Sequence, residues 1–337
     1  MKAIAPGKLI LSGEHAVVYG GPALAMAIDR NAQTIVTAAE SAGPEEVRFE
    51  LPDVRAVESF TLRALRDFRE RVQRNYDEFT QGRMGLKEIL RKPVDLFQYT
   101  FITILDGLHL KLTGGLEIRM HSTIPIGCGL GSSAATILSV LRAVGHYFRV
   151  EFRPDWYYRY SLEAERLQHG FPSGVDSFVS LHGGCALFRE GEAKKIPLPR
   201  LCLRLADTGT PECTTGDCVA EVRRRFGASS IWTDFERTTL AMTEALRQEN
   251  TDAFRAAMRD NHRLLCEIGV VPEKVRAFVA EIERRGGAAK ISGAGAIRGE
   301  AAGAVLVCAD SAVDDVFLQF GYRSLSFRGE PLGVRIV

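Results

Sequence analysis

Between Pro125 and Ala135 the chain reads P-I-G-C-G-L-G-S-S-A-A, three glycines in five residues, then two serines and a long apolar run to Val144. Few folds accommodate such a stretch, and the simplest is a glycine-rich loop that opens onto a helix. At that junction several backbone N–H groups lack partners and gather at the positive end of the helix dipole, while glycine lets the backbone approach an anion with no Cβ in the way. The pattern therefore points to a phosphate cradle. A tight turn capped by Ser132 or Ser133 accounts for some of these residues but not for three glycines. Two other phosphate loops are excluded: G-x-x-x-x-G-K-[ST] needs a lysine where Ser132 stands, and G-x-G-x-x-G begun at Gly127 needs a glycine there.

The rest of the chain bounds the partner. Its 337 residues suffice for two domains of ordinary size. Forty-three Lys and Arg against 42 Asp and Glu leave a net charge of +1, with neither a basic excess for nucleic acid nor an acidic tail. A small-molecule substrate is expected. Seven cysteines are scattered, and Cys213 and Cys218 lack a second pair at zinc spacing, so neither a zinc site nor a disulfide framework is supported. A reducing, cytoplasmic setting is the expectation. The first residues alternate like a strand instead of forming an export leader, and no apolar run reaches membrane-spanning length, so neither export nor a membrane span is expected. No internal repeat or low-complexity tract is visible.

Taken in order, residues 2–5 and 8–12 read as short strands about a Pro6-Gly7 turn. Lys8, Glu14 and His15 crowd into eight residues between turns and apolar runs, where charged groups need partners. A binding site and three separate bland roles, a solvated lysine, a helix-start charge and a cap, both remain open for them. Residues 23–39 resemble a strand pair broken at Asp29-Arg30-Asn31, and 47–51 and 116–122 are further strands. Residues 57–112 read as mostly helical, with a loop at 82–85 and a charge-balanced run that suits a solvated helix face. A helix over 154–168 carries Glu163 and Glu165 and ends in H-G-F-P-S-G-V-D, where Asp176 is either an N-cap or a carboxylate held by a rigid turn. A hairpin near 186–199 marks a domain boundary, giving domains 1–187 and 188–337. Beyond it come a strand at 201–206, helices at 217–226, 231–249, 251–268 and 272–286, a second glycine-rich turn K-I-S-G-A-G-A-I-R-G from Lys290, and a final strand, helix and strand. That succession describes an α+β architecture.

Three segments, A-P-G-K-L-I-L-S-G-E-H-A-V-V-Y-G from Ala5, P-I-G-C-G-L-G-S-S-A-A from Pro125 and K-I-S-G-A-G from Lys290, occur in this order across nearly the whole chain. Together they resemble the kinase superfamily of galactokinase, homoserine kinase, mevalonate kinase and phosphomevalonate kinase. G-E-H-A-V-V-Y-G and H-G-F-P-S-G-V-D are most similar to its mevalonate-phosphorylating branch. The resemblance implies a ribosomal-protein-S5-like N-terminal nucleotide-binding domain, a ferredoxin-like C-terminal domain and an active site between them. It further implies ATP and Mg2+, transfer of phosphate to the C5 hydroxyl of mevalonate in isoprenoid precursor synthesis, and a homodimer, the common state of its members.

By position, the resemblance implies that Asp176 faces the C5 hydroxyl and that Lys8 pairs with Asp176 and with the migrating phosphoryl group. Glu14, His15 and Thr214 would surround the substrate, Ser133 and Glu165 would hold magnesium, and Pro125, Gly127, Gly129, Leu130, Gly131, Ser132 and Ser133 would line the nucleotide phosphates. These assignments suit the chemistry, because phosphoryl transfer demands alignment and charge compensation more than covalent work. An ammonium beside Asp176 weakens it as a base, so positioning and electrostatics are expected to outweigh prior proton abstraction. The third segment departs from the family pattern: Arg298 and Glu300 replace small residues, either pairing with each other or lending Arg298 to a phosphate. Phosphomevalonate, a sugar or diphosphomevalonate (by decarboxylation) are alternative substrates on the same fold, and a silent sensor is the alternative outside enzymes.

Overall fold

Pro6-Gly7 and Asp29-Arg30-Asn31, which the sequence suggests as a turn and a break, face each other across one irregularity in a continuous strand pair. Strands β1 (Lys2–Ser12) and β2 (Ala23–Ala38) run antiparallel, with Pro6 opposite Asn31 and Gly7 opposite Ile28, so that Asp29 and Arg30 are the surplus of a bulge. Proline fits there because the ladder is locally interrupted. The computed structural model describes residues 1–39, 43–125, 127–310 and 312–337, so Ile126 of the first glycine loop lies outside the described residues.

Around this pair an eight-stranded sheet is built from β3 (Glu46–Leu51), β4 (Ala56–Thr61), β5 (Leu116–Ser122), β6 (Cys185–Arg189), β7 (Glu192–Ile196) and the returning residues Arg335–Ile336. Among the described residues only β3 and β5 pair in parallel. Residues 56–61 are thus a strand, not the start of the expected helical region: A-V-E-S-F-T alternates half-buried and exposed positions and pairs with β3. Helix α1 (Leu62–Thr80) follows, capped by Thr61, with Leu62, Leu65, Phe68 and Val72 on its buried face and its charges in solvent. Helices α2 (Asp95–Gly107), α3 (Ser132–Tyr147), α4 (Pro154–His169) and α5 (Val175–His182) complete this half. α3 packs on β1 and β2, and α5 on β1; Lys8 in the middle of β1 meets Leu130 just before α3 and Asp176 in the first turn of α5.

The second half holds β8 (Leu203–Asp207), α6 (Thr215–Phe226), α7 (Ile231–Arg247), α8 (Thr251–Glu267), α9 (Glu273–Arg284), β9 (Ala288–Ile291), β10 (Ala304–Cys308), α10 (Asp314–Phe320) and β11 (Arg323–Ser326). Its four strands form an antiparallel sheet in the order β11-β8-β10-β9, with α8 and α9 packed on β9. The division expected after residue 187 falls inside β6, whose hairpin with β7 belongs to the first sheet. One apolar core, with Leu9, Phe49, Tyr99 and Leu138 from the first half and Met242, Phe254 and Leu306 from the second, runs through both. No helix among the described residues is long and apolar enough to cross a membrane.

Candidate active site

The first glycine loop delivers the chain to α3 with no side chain at the helix start. Gly131 is the N-cap, in left-handed geometry at φ 70°, and neither Ser132 nor Ser133 caps the helix. The first-turn N–H groups are therefore left for a ligand. Only glycine fits here: a Cβ on Gly131 would lie 2.7 Å from Cγ of Lys8. The loop is pinned to β1 by the Lys8 amide, which donates to Leu130 O at 2.9 Å. Pro125, Gly127, Gly129, Leu130, Gly131, Ser132 and Ser133 all line one cavity of about 540 Å³.

Lys8 enters that cavity from β1 beneath Gly131, almost fully buried, and its Nζ lies 3.1 Å from Oδ1 of Asp176. Asp176 stands in the first turn of α5 behind Gly174, which is the N-cap, so the reading of Asp176 as a cap does not apply. On the adjoining wall Ser133 Oγ donates to Glu165 Oε1 at 3.1 Å and Ser177 Oγ donates to Oε2 at 3.3 Å. Burial, and then the neighbouring Asp176, push the Glu165 carboxyl up to about 8, against the opposing pull of Ser133, Lys8 and Ser177. One helical turn on, His169 Nε2 lies 3.9 Å from Glu165, and burial pushes this imidazole below its ordinary range. A carboxyl so destabilised in its charged form suits a nearby cation. Ser133 and Glu165 offer the hard oxygen donors that magnesium prefers. No cluster of three or more potential His, Cys, Asp or Glu ligands occurs among the described residues, so an ion here would complete its shell with waters and phosphate oxygens.

The turn that follows β1 is strained. His15 has φ 59° and ψ −46°, and Ala16 N donates to Glu14 O at 2.6 Å, the hydrogen bond of a γ-turn centred on a residue that is not glycine. His15 Nε2 meets Ala294 O at 3.0 Å; because a carbonyl only accepts, Nε2 carries the proton. Burial holds this imidazole at about 4, so it is neutral at physiological pH. Glu14 is only 1 % exposed and pairs with Lys290, a fully buried lysine of β9. Burial pushes the Glu14 carboxyl up and the Lys290 ammonium down, and each opposes the shift of the other.

Thr214 sits apart from this group. It is the N-cap of α6, its hydroxyl accepting from Asp217 N at 3.2 Å while Asp217 accepts from Thr214 N at 2.9 Å, and its neighbour Thr215 lines the cavity instead. Cys213 and Cys218 flank that cap as a buried thiol pair 3.3 Å apart. In the third segment Glu300 pairs with Lys274 at 3.3 Å, not with Arg298, which is exposed and has no ion-pair partner among the described residues. Three contributors escape a reading of the sequence: Ser177, Lys290 and an apolar wall of Leu51, Val54, Leu96, Phe97 and Met120. Lys290 lies inside a quoted motif, and Ser177 was visible only as a polar residue in an apolar run. The wall carries no motif at all.

The signature of the GHMP kinases N terminal domain matches residues 96–184, and that of the GHMP kinases C terminal domain matches residues 242–297. A mevalonate kinase of Archaeoglobus fulgidus is 30% identical over 295 residues, covering 88% of this chain and 89% of its own length. Among solved structures, the Methanococcus jannaschii mevalonate kinase has a TM-score of 0.79 at 24% identity, covering 98% of each chain. L. major mevalonate kinase in complex with R-mevalonate has a TM-score of 0.69 at 21% identity, covering 99% of this chain and 97% of its own. These two show the fold, a two-domain α+β architecture; in this chain residues of all three motif segments line the cavity. The chain belongs to the GHMP kinases, the ATP-dependent small-molecule kinases, within the mevalonate kinase family.

Proposed function

We propose that this protein transfers the γ-phosphoryl group of ATP to the C5 hydroxyl of mevalonate. The observation that carries the reading is the Lys8–Asp176 pair, 3.1 Å apart, set in one cavity beside the uncapped start of α3 and the Ser133–Glu165 pair. The family and the mevalonate kinase relative supply the substrate class.

In this reading the N–H groups at the start of α3 and the glycine loop hold the nucleotide phosphates, as a positive helix end does. The apolar wall of Leu51, Val54, Leu96 and Phe97 suits the flat face of a base. Ser133 and Glu165 would hold Mg2+, which when bound neutralises charge on the phosphate oxygens. Asp176 accepts a hydrogen bond from the acceptor hydroxyl and orients it. Lys8, held by Asp176, compensates the negative charge that spreads over the migrating group. Since Lys8 already occupies Asp176, orientation and charge compensation carry more of the catalysis than removal of the proton beforehand. Neutral His15 and Thr215 line the substrate end.

Lys8 is the sole Lys or Arg among the described residues of the cavity wall. That favours an acceptor without a phosphate of its own, since phosphorylated substrates call for additional cations. Cytoplasmic location and a homodimer belong to the same reading, the latter checked by sedimentation. The decisive experiment measures ADP release with mevalonate, phosphomevalonate, diphosphomevalonate and galactose, with and without Mg2+. Mg2+-dependent turnover of mevalonate is expected; turnover of phosphomevalonate but not mevalonate overturns the substrate, and ATP binding without turnover of any of them overturns the enzyme.

A further inference from the structure

Lys290 is the most completely buried lysine of the chain, and phosphoryl transfer as described above makes no use of it. It leaves β9 of the second sheet and reaches the end of β1 in the first, donating to Ile10 O at 3.3 Å and Leu11 O at 3.1 Å and pairing with Glu14. Two residues on, Ser292 Oγ accepts from Ile10 N at 3.1 Å, and Ala294 O receives His15. The strained γ-turn at Glu14–Ala16 is thus gripped on both sides by the single segment 290–294. Such strain persists only where the surroundings over-determine it.

The charges around this turn are balanced in a particular way. Lys8 and Glu14 line the same cavity, and the charge of Lys8 acts weakly on both Glu14 and Lys290, yet its ammonium is on Asp176. Glu14 therefore has two cations within electrostatic reach and takes one. Its other oxygen, Oε2, is buried without a hydrogen-bond partner among the described residues. Glu14 lines the cavity but is only 1 % exposed, so it offers a ligand little surface while competing strongly for the nearest ammonium.

We infer that Lys290 is a positioning residue of this active site: by neutralising Glu14 from the second sheet, it clamps the turn that presents His15 and leaves Lys8 to Asp176. The inference assigns Glu14 to the same clamp in place of substrate contact. It rests on the phosphoryl-transfer reading for its kinetic arm only, because the position of Lys8 is measurable without turnover.

The test is a double-mutant cycle of Lys290→Met, Glu14→Gln and the pair combined, read by kcat/KM for mevalonate and by crystal structures of the variants. In Lys290→Met the stranded carboxylate draws Lys8 away from Asp176, and kcat/KM falls by about 100-fold, the scale of a misplacement near 1 Å. In the double variant no buried charge is stranded, Lys8 returns to Asp176, and at least about 10-fold of the loss is recovered. Should Lys290→Met not accumulate as folded protein, Glu14→Gln serves as the single variant: it loses activity through the surplus ammonium, and the double again recovers it. Lys8 remaining on Asp176 in Lys290→Met, wild-type kcat/KM with only a lowered Tm, or a double variant no better than either single overturns the inference. Failure of the wild type to phosphorylate mevalonate instead overturns the substrate reading, and the position of Lys8 still decides this one.

Discussion

Two glycine-rich turns meet at the centre of this molecule, and they use glycine for opposite purposes. The turn at 127–131 faces the cavity, with Gly131 closing over Lys8 so that the start of α3 is open to a ligand. The turn at 293–299 touches the cavity only through Gly293 and Ala294 and then turns inward: Gly295, at φ 64°, lies so close to Val270 that a Cβ would stand 2.2 Å from its carbonyl oxygen, and Ala296 N donates to that oxygen at 2.9 Å. The two turns touch, since a Cβ on Gly129 would come within 2.7 Å of Ser292 O, and Cys128 O accepts from Ala304 N at 3.0 Å. The proposed function has the first turn admit an anion, while Gly295 of the second lets backbones meet. Glycine content alone does not distinguish them; what surrounds each turn does.

That contrast can be broken by substitution. Gly131→Ala places a methyl against the Lys8 stem and shifts its ammonium from Asp176, so kcat is expected to fall about 100-fold, with a stability loss of about 1–2 kcal/mol, the cost of alanine at positive φ. Steady-state kinetics and a thermal melt on one preparation check it; a wild-type kcat would end the claim that this turn serves catalysis through Lys8. Gly295→Ala should invert the pattern, destabilising the chain by about 2 kcal/mol through strain and overpacking while leaving kcat of the folded fraction close to wild type. Urea midpoints paired with active-site titration measure both quantities. A loss of kcat larger than the loss of stability would make the two turns alike. The smallest effect belongs to Glu300→Gln at the end of the second turn. Its partner Lys274 and Glu300 itself are both exposed, so Tm and the KM for ATP are expected to stay within experimental error, and a raised KM would bring this turn into the nucleotide site.

Much of the candidate site was legible because its chemistry is local. Alternation and apolar periodicity locate most helices to within a few residues, and the three glycines between 127 and 131 announce a loop before a helix wherever the chain goes next. Errors arose where a local signal had a distant partner. Pro6-Gly7 reads as a turn until Asp29-Arg30 is placed opposite it as a bulge, and residues 57–61 read as helix until β3 pairs with them. Thr214 is a local case: Asp217, three positions on, makes it the cap of α6, and Thr215, not Thr214, lines the cavity. Arg298 and Glu300 look like partners in sequence, yet Lys274 from α9 takes the carboxylate.

By itself the sequence determined the α+β class, the family and the residue types that converge on the cavity, because backbone freedom at glycine and the burial of apolar faces act over a few residues. Tertiary structure alone decided which ion serves which. Lys8 and Lys290 are both lysines in family motifs, but one is carried by β1 to Asp176 and the other by β9 to Glu14, 276 residues away in the chain. A buried charge takes the counter-charge that folding sets beside it, and strand pairing over hundreds of residues, not neighbourhood in sequence, makes that choice.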